Sequence, residues 1–140
     1  MAGYSGTPLL QKLGIKPGHR ICTVNAPVDL AQLLAPLPDG AGFVGSTAKD
    51  VDVVIAFESS RANFQKHLPK LANRIKSDGM IWIGWPKKAS GVETDLSENQ
   101  VRDFALTLGL VDIKVCAIDE IWSGLKLVIR KENRAKRAKA

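Results

Sequence analysis

Two almost uninterrupted apolar runs constrain this chain more than anything else in it: Val51-Asp-Val-Val-Ile-Ala-Phe57 and Met80-Ile-Trp-Ile-Gly-Trp85. A strand with one face in water alternates apolar and polar residues. A run that does not alternate is a strand buried on both faces, as in a parallel sheet covered by helices on each side. The second run breaks off into Pro86-Lys87-Lys88-Ala89-Ser90-Gly91. It reads as a buried strand, Met80 to about Trp85, that emerges into a polar loop reaching about Leu96.

The rest of the chain supplies what such a sheet needs. Residues 7–14 read as a short helix, with Thr7 as N-cap, Pro8 at the first helical position and Gly14 as stop. A strand over 20–25 and a helix over 28–35 follow, the helix with Leu30, Leu33 and Leu34 on one face. Phe43-Val44 centres a weak strand. Ser60 caps a helix running to about Lys76, where Ser77-Asp78-Gly79 ends it, and Pro69 predicts a kink or split inside it. Ser97 and Gln100 have capping-box spacing for a helix reaching Gly109. Strands over 111–118 and 124–130, joined by a short turn, predict an antiparallel hairpin. Together these predict an α/β three-layer sandwich with a mostly parallel sheet. We expect one domain over residues 1–130 and a flexible basic tail over 131–140.

The formal charge of +6 is concentrated at one end. Arg130, Lys131, Arg134, Lys136, Arg137 and Lys139 are accompanied by one acid, Glu132, which leaves the remainder of the chain near neutrality. This run either solubilises the chain end or contacts nucleic acid by releasing counterions from phosphate. Cys22 and Cys116 lie in apolar runs and read as buried thiols. His19 and His67 stand alone, so no metal site is expected. With no apolar stretch of membrane-spanning length and no signal-peptide pattern, a cytoplasmic protein is expected.

The order of elements resembles the Rossmann-like fold of S-adenosylmethionine-dependent methyltransferases. Asp52-Val-Val-Ile-Ala56 resembles their fourth strand, Leu71 to Ile83 their fifth, and the C-terminal hairpin their sixth and seventh. At family level the sequence is similar to a small bacterial group, domain of unknown function 3052. That likeness rests on Gly3-Tyr-Ser-Gly-Thr-Pro-Leu9, Leu13-Gly-Ile-Lys-Pro-Gly18, Trp85-Pro-Lys-Lys-Ala-Ser-Gly91 and Trp122-Ser-Gly-Leu-Lys126. It implies a fold but no activity.

The departures from the methyltransferase pattern bear on function. The turn after the first strand reads Val24-Asn25-Ala26-Pro27, without the glycines that let backbone approach the cofactor. Phe43-Val-Gly-Ser-Thr47 offers no carboxylate for a ribose. S-adenosylmethionine is therefore a disfavoured cofactor and no other is implied. The leading expectation is a non-catalytic or degenerate methyltransferase-like domain that binds a small anionic ligand or a protein partner. A divergent transferase and a weak nucleic-acid binder acting through the tail are the alternatives.

In open α/β sheets, ligands bind beyond the carboxyl ends of the strands. The fold would gather there Asn25, Glu58, Ser59, Trp85, Lys87, Lys88, Ser90, Asp119, Glu120 and Trp122. Lys87, Lys88 and Ser90 suit a phosphate or carboxylate. Alternatively, Asp119 and Glu120 pair with the lysines as an internal latch. Trp85 and Trp122 either stack on a planar ligand or complete the core. Glu58 is a candidate base with a raised pKa.

Overall fold

The computed structural model describes residues 8–134. Six strands form one sheet, and four helices cover its two faces. In chain order the elements are α1 (Leu9–Leu13), β1 (Arg20–Val24), α2 (Leu30–Leu34), β2 (Gly42–Phe43), β3 (Val51–Phe57), α3 (Arg61–Ala72), β4 (Ile75–Pro86), a 3₁₀ turn (Lys88–Ser90), α4 (Glu98–Thr107), β5 (Leu110–Ala117) and β6 (Trp122–Ile129). The sheet order is β2-β1-β3-β4-β6-β5. The first four strands are mutually parallel, and β6 runs antiparallel to both β4 and β5. This is the α/β sandwich that the uninterrupted apolar runs predict.

Helices α3 and α4 bury Phe64, Leu68, Leu71, Val101 and Ala105 on one face, against Val54, Ile81, Ile83, Trp85, Leu125 and Leu127. Helices α1 and α2 bury Leu9, Leu13, Leu30 and Leu34 on the other, against Ile21, Val53, Ile55, Phe57 and Trp82. The Trp82 indole N–H donates to the Leu13 carbonyl at 3.0 Å, which satisfies its one polar atom and fixes α1 over β4. The predicted capping box forms. Ser97 Oγ accepts from the Gln100 amide, and the Gln100 side chain accepts from the Ser97 amide at 3.0 Å.

Several boundaries differ from the sequence reading. Helix α3 is unbroken and stops at Ala72, not Lys76. Pro69 sits in its last turn, where the missing N–H removes one hydrogen bond without splitting the helix. Ser77-Asp78-Gly79 does not end a helix; it lies within β4, which begins at Ile75 rather than Met80. Val51 pairs with Ile75 and Val53 with Met80, so two residues of β3 advance against five of β4. Gly79 sits at this bulge because a Cβ there would lie 3.0 Å from the Val51 carbonyl oxygen. Pro8 stands at the N-cap of α1, one position earlier than expected, and Thr7 lies outside the described residues. The other ends differ by one or two residues. No described helix is long and apolar enough to cross a membrane.

Candidate ligand site at the carboxyl edge of the sheet

The register carries the ends of β1, β3 and β4 to one edge. Val24 pairs with Ala56, Phe57 with Gly84, and Pro86 with Trp122 where β6 begins. The turns after β1, β3, β4 and β5 therefore share that edge. The chain steps from β1 outward to β2 and then back across to β3, so the switch point of the strand order lies between Asn25 and Glu58.

At the switch point Asn25 has φ 54°, the left-handed region that asparagine tolerates better than other non-glycine residues. This is how the chain turns out of β1 without a glycine. The Asn25 side chain then crosses to the end of β3, where its amide donates to the Phe57 carbonyl at 3.4 Å. Ala26 and Pro27 follow, and Val28 is fully exposed. A shallow hollow of about 200 Å³ lies beside this turn, lined by Thr23, Ala26, Pro27, Leu30 and Phe43 among others.

Glu58 extends β3 by one residue, its amide donating to the Gly84 carbonyl at 2.8 Å. It is the buried charged residue of the core, at 2% exposure. Its carboxylate meets His67 Nδ1 at 2.7 Å. Burial pushes the Glu58 carboxyl above its ordinary value, and the hydrogen bond and charge interaction with His67 pull it partly back. His67 therefore does not stand alone. Phe64, Leu68 and Leu71 form the buried stripe of α3, and position 67 borders that stripe. The helical period thus places His67 near the sheet, but spacing alone does not single out Glu58.

The lysine loop is tied down by its own bonds. Lys87 Nζ donates to the Asp119 carbonyl at 2.7 Å, and the Lys87 amide donates to the Ile121 carbonyl at 2.8 Å. The contact from Lys87 is to backbone, not to the carboxylates of Asp119 or Glu120. The Asp119 carboxylate instead accepts the amides of Ile121 and Trp122, at 2.8 and 2.7 Å, which closes the turn into β6. Ser90 Oγ donates to the Lys87 carbonyl at 2.6 Å and accepts from the Val92 amide at 3.2 Å, so its hydroxyl serves the 3₁₀ turn. Ser59 is exposed, and its carbonyl takes the Thr94 hydroxyl at 2.7 Å. Lys88 and Glu120 are exposed and carry no ion pair among the described residues.

The two indoles cannot clamp one ligand because they occupy opposite faces of the sheet. Trp85 is buried in the core under α3 and α4. Trp122 packs on the α1 and α2 side, edge-on to Phe57 with ring centroids 5.1 Å apart. Of the predicted site residues, the edge thus gathers Asn25, Glu58, Ser59, Lys87, Lys88, Asp119, Glu120 and Trp122. Trp85 faces away into the core, and Ser90 is spent locally.

Cys22 is buried, whereas Cys116 is only half-buried, and burial pushes both thiols up. No group of three His, Cys, Asp or Glu side chains able to hold a metal occurs among the described residues. Residues 131–134 form a helical turn, with the Arg134 guanidinium donating to the Ile129 carbonyl. Arg130 lies 3.8 Å from Glu132. Lys136, Arg137 and Lys139 lie outside the described residues.

The turns after β1 and β2 depart from the glycine-rich turn and the carboxylate expected of an S-adenosylmethionine seat in this fold. Pro27 removes a backbone donor from the turn where the cofactor would need one. Asn25 stands where a glycine is expected, and its side chain is bonded to Phe57. Val44, Gly45 and Ser46 after β2 bring no carboxylate.

No protein-family model matches the sequence, and no characterised protein matches it by sequence. The fold does have relatives among solved structures. A precorrin-6Y C5,15-methyltransferase from Geobacter metallireducens superposes with TM-score 0.57 at 13% identity, covering 87% of this chain and 86% of that one. An S-adenosylmethionine-dependent methyltransferase from Aquifex aeolicus gives 0.59 at 15% identity, covering 87% and 88%. The magnesium protoporphyrin IX methyltransferase of Synechocystis, solved with bound S-adenosylmethionine, gives 0.59 at 12% identity, covering 87% and 74%. At such identities the likeness establishes the fold and nothing finer. The chain has a methyltransferase-like α/β fold.

Proposed function

We propose that the protein is a degenerate methyltransferase-like domain. It keeps the ligand edge of that fold, lacks the cofactor seat, and binds a small anionic ligand at the edge without transferring a methyl group. The observation that carries this reading is Asn25. Its left-handed backbone replaces a glycine, and its side chain reaches across the switch point to Phe57. The anion-binding part is supported by Lys88, which is unpaired, and by Lys87, which spends one of its three ammonium donors on Asp119.

Calorimetric titration with ATP and with S-adenosylmethionine tests the reading. Saturable binding of ATP that Lys87→Ala/Lys88→Ala removes is expected, with no saturable heat from millimolar S-adenosylmethionine. ATP binding that survives the double substitution unchanged contradicts the site. Tight S-adenosylmethionine binding favours the rival reading, a divergent transferase, which the structural relatives support at the level of fold.

A second reading is favoured by apolar exposure at the same edge. Val28, Phe43 and Ile121 are 104%, 46% and 41% exposed. Such side chains suit a protein partner laid across the turns after β1 and β5.

A further inference from the structure

On one side α3 and α4 pack against β3, β4, β5 and β6, whereas on the other α1 is fixed over β4 through Leu13 and Trp82. Toward Trp122 the α1-side face of the hairpin β5–β6 is filled by Ile118 and Cys116, but at Lys114, which is exposed, and Lys126, which is half-buried, it meets solvent. Lys114 and Lys126 are direct cross-strand partners, and Lys126 is in turn the partner of Trp82 on β4. The Lys114 ammonium lies 6.0 Å from the centroid of the Trp82 ring. The Lys126 ammonium lies beside the C-cap of α1, about 4.0 Å from where a Cβ on Gly14 would sit. Lys12 and Lys16 stand two residues to either side of Gly14 in the chain. Burial and then the ammoniums of Lys114 and Lys16 push Lys126 below its ordinary pKa, and Lys114 and Lys12 act likewise on Cys116.

Like charges directly opposed across strands repel. Here none of the four lysines has a carboxylate partner among the described residues. Four cations from three separate segments gather on this side of the hairpin, and an anion from outside the chain would neutralise them. The face is a strand surface, not a cavity, which suits an extended anion better than an enclosed one. Strand β6 also runs from Lys126 into Arg130, Lys131 and Arg134, four to eight residues on. At about 3.3 Å per strand residue, Arg130 lies roughly 13 Å from Lys126.

We propose that the lysine face formed by Lys12, Lys16, Lys114 and Lys126 docks the sugar-phosphate backbone of a nucleic acid, independently of the carboxyl-edge site. Each lysine that neutralises a phosphate adds about 0.9 to the slope of log affinity against log salt. The sequence conceals this face, because its four lysines are scattered through otherwise ordinary segments while the visible basic run lies elsewhere.

The test is fluorescence anisotropy of a labelled DNA duplex with the full chain, between about 50 and 200 mM salt. Lys114→Gln/Lys126→Gln is expected to weaken binding about tenfold or more and to lower the slope by about two. Lys114→Gln alone changes an exposed side chain and cannot disturb the core; it is expected to lower the slope by about one, with Lys114→Arg restoring it. The proposal is overturned by no binding by the unaltered protein at about 50 mM salt, by unchanged affinity and slope in the double variant, or by loss of binding only when Arg130, Lys131 and Arg134 are neutralised. Competition by inorganic phosphate far beyond that of chloride at equal ionic strength also overturns it, because the face would then hold a single small anion.

Discussion

The carboxyl edge has two halves built in opposite ways. Around β4 and β6, nearly every polar group is answered within the chain. Lys87 is held by the carbonyl of Asp119, the Asp119 carboxylate takes two amides, and Trp122 packs on Phe57. Around β1, at the switch point, the chain turns in the open: Asn25 and Ala26 are exposed, Val28 fully so, and one long hydrogen bond ties the turn to β3. In the half richest in charged residues, Lys87 and Asp119 are therefore held within the chain, and Lys88 and Glu120 are left without an ion pair among the described residues. A lysine in a loop is a ligand candidate only after its hydrogen bonds have been counted, and here the count moves attention toward Asn25 and Lys88.

Substitutions in the two halves should separate accordingly. The largest effect is expected from Trp122→Ala, which removes the edge-on ring from Phe57 and opens space at the start of β6; it should cost about 3 kcal/mol by denaturant unfolding. Adding volume at the neighbouring Gly124→Val should cost about 1–3 kcal/mol, since a Cβ there already lies 2.9 Å from Ile118 and 3.2 Å from Trp82. Asp119→Ala leaves the amides of Ile121 and Trp122 without their acceptor and should cost about 1–2 kcal/mol. On the open side, Asn25→Gly should stay within about 0.5 kcal/mol of the unaltered protein, because glycine adopts φ 54° without strain. If Asn25→Gly proves as costly as Trp122→Ala, the two halves are not built differently.

Glu58 sharpens the comparison through pH. Its folded-state pKa is raised, so the folded protein binds its proton more tightly than the unfolded chain does. This contribution to stability is complete below the unfolded carboxyl value, about 4.3. It is lost as pH rises through the raised folded value. Glu58→Gln should remove that loss, making the variant's stability flatter with pH over this window and relatively greater above it. Thermal melts from pH 4 to 8 check the sign; a variant that loses stability relative to the unaltered protein as pH rises contradicts the cause assigned to the shift.

Much of the architecture was legible in the sequence because its signals are local. The non-alternating run from Val51 to Phe57 specifies a strand covered on both sides, and Ser97 with Gln100 specifies a helix start. The bulge at Gly79 was not legible. Ser77-Asp78-Gly79 has the composition of a helix stop, and only pairing with β3 turns it into strand. The edge could be located from topology, but its hydrogen bonds could not. Glu58 and His67 meet because α3 packs back over β3, and Trp85 and Trp122 part because cross-sheet position decides which face each takes. The lysine face depends on the β5–β6 register, and a bulge between Asp112 and Lys114 sets which side of β5 those lysines share.

The account turns on a ligand edge retained while a cofactor seat is lost. Amide-resolved NMR of the full chain, titrated separately with ATP and with S-adenosylmethionine, tests it most directly. The account predicts saturable shifts from ATP at Asn25, Ala26, Ser59 and Lys88, little change at Ile121 and Trp122, and no saturable shifts from S-adenosylmethionine at millimolar concentration. Saturable shifts from S-adenosylmethionine centred on Asn25 and Val44 would contradict it.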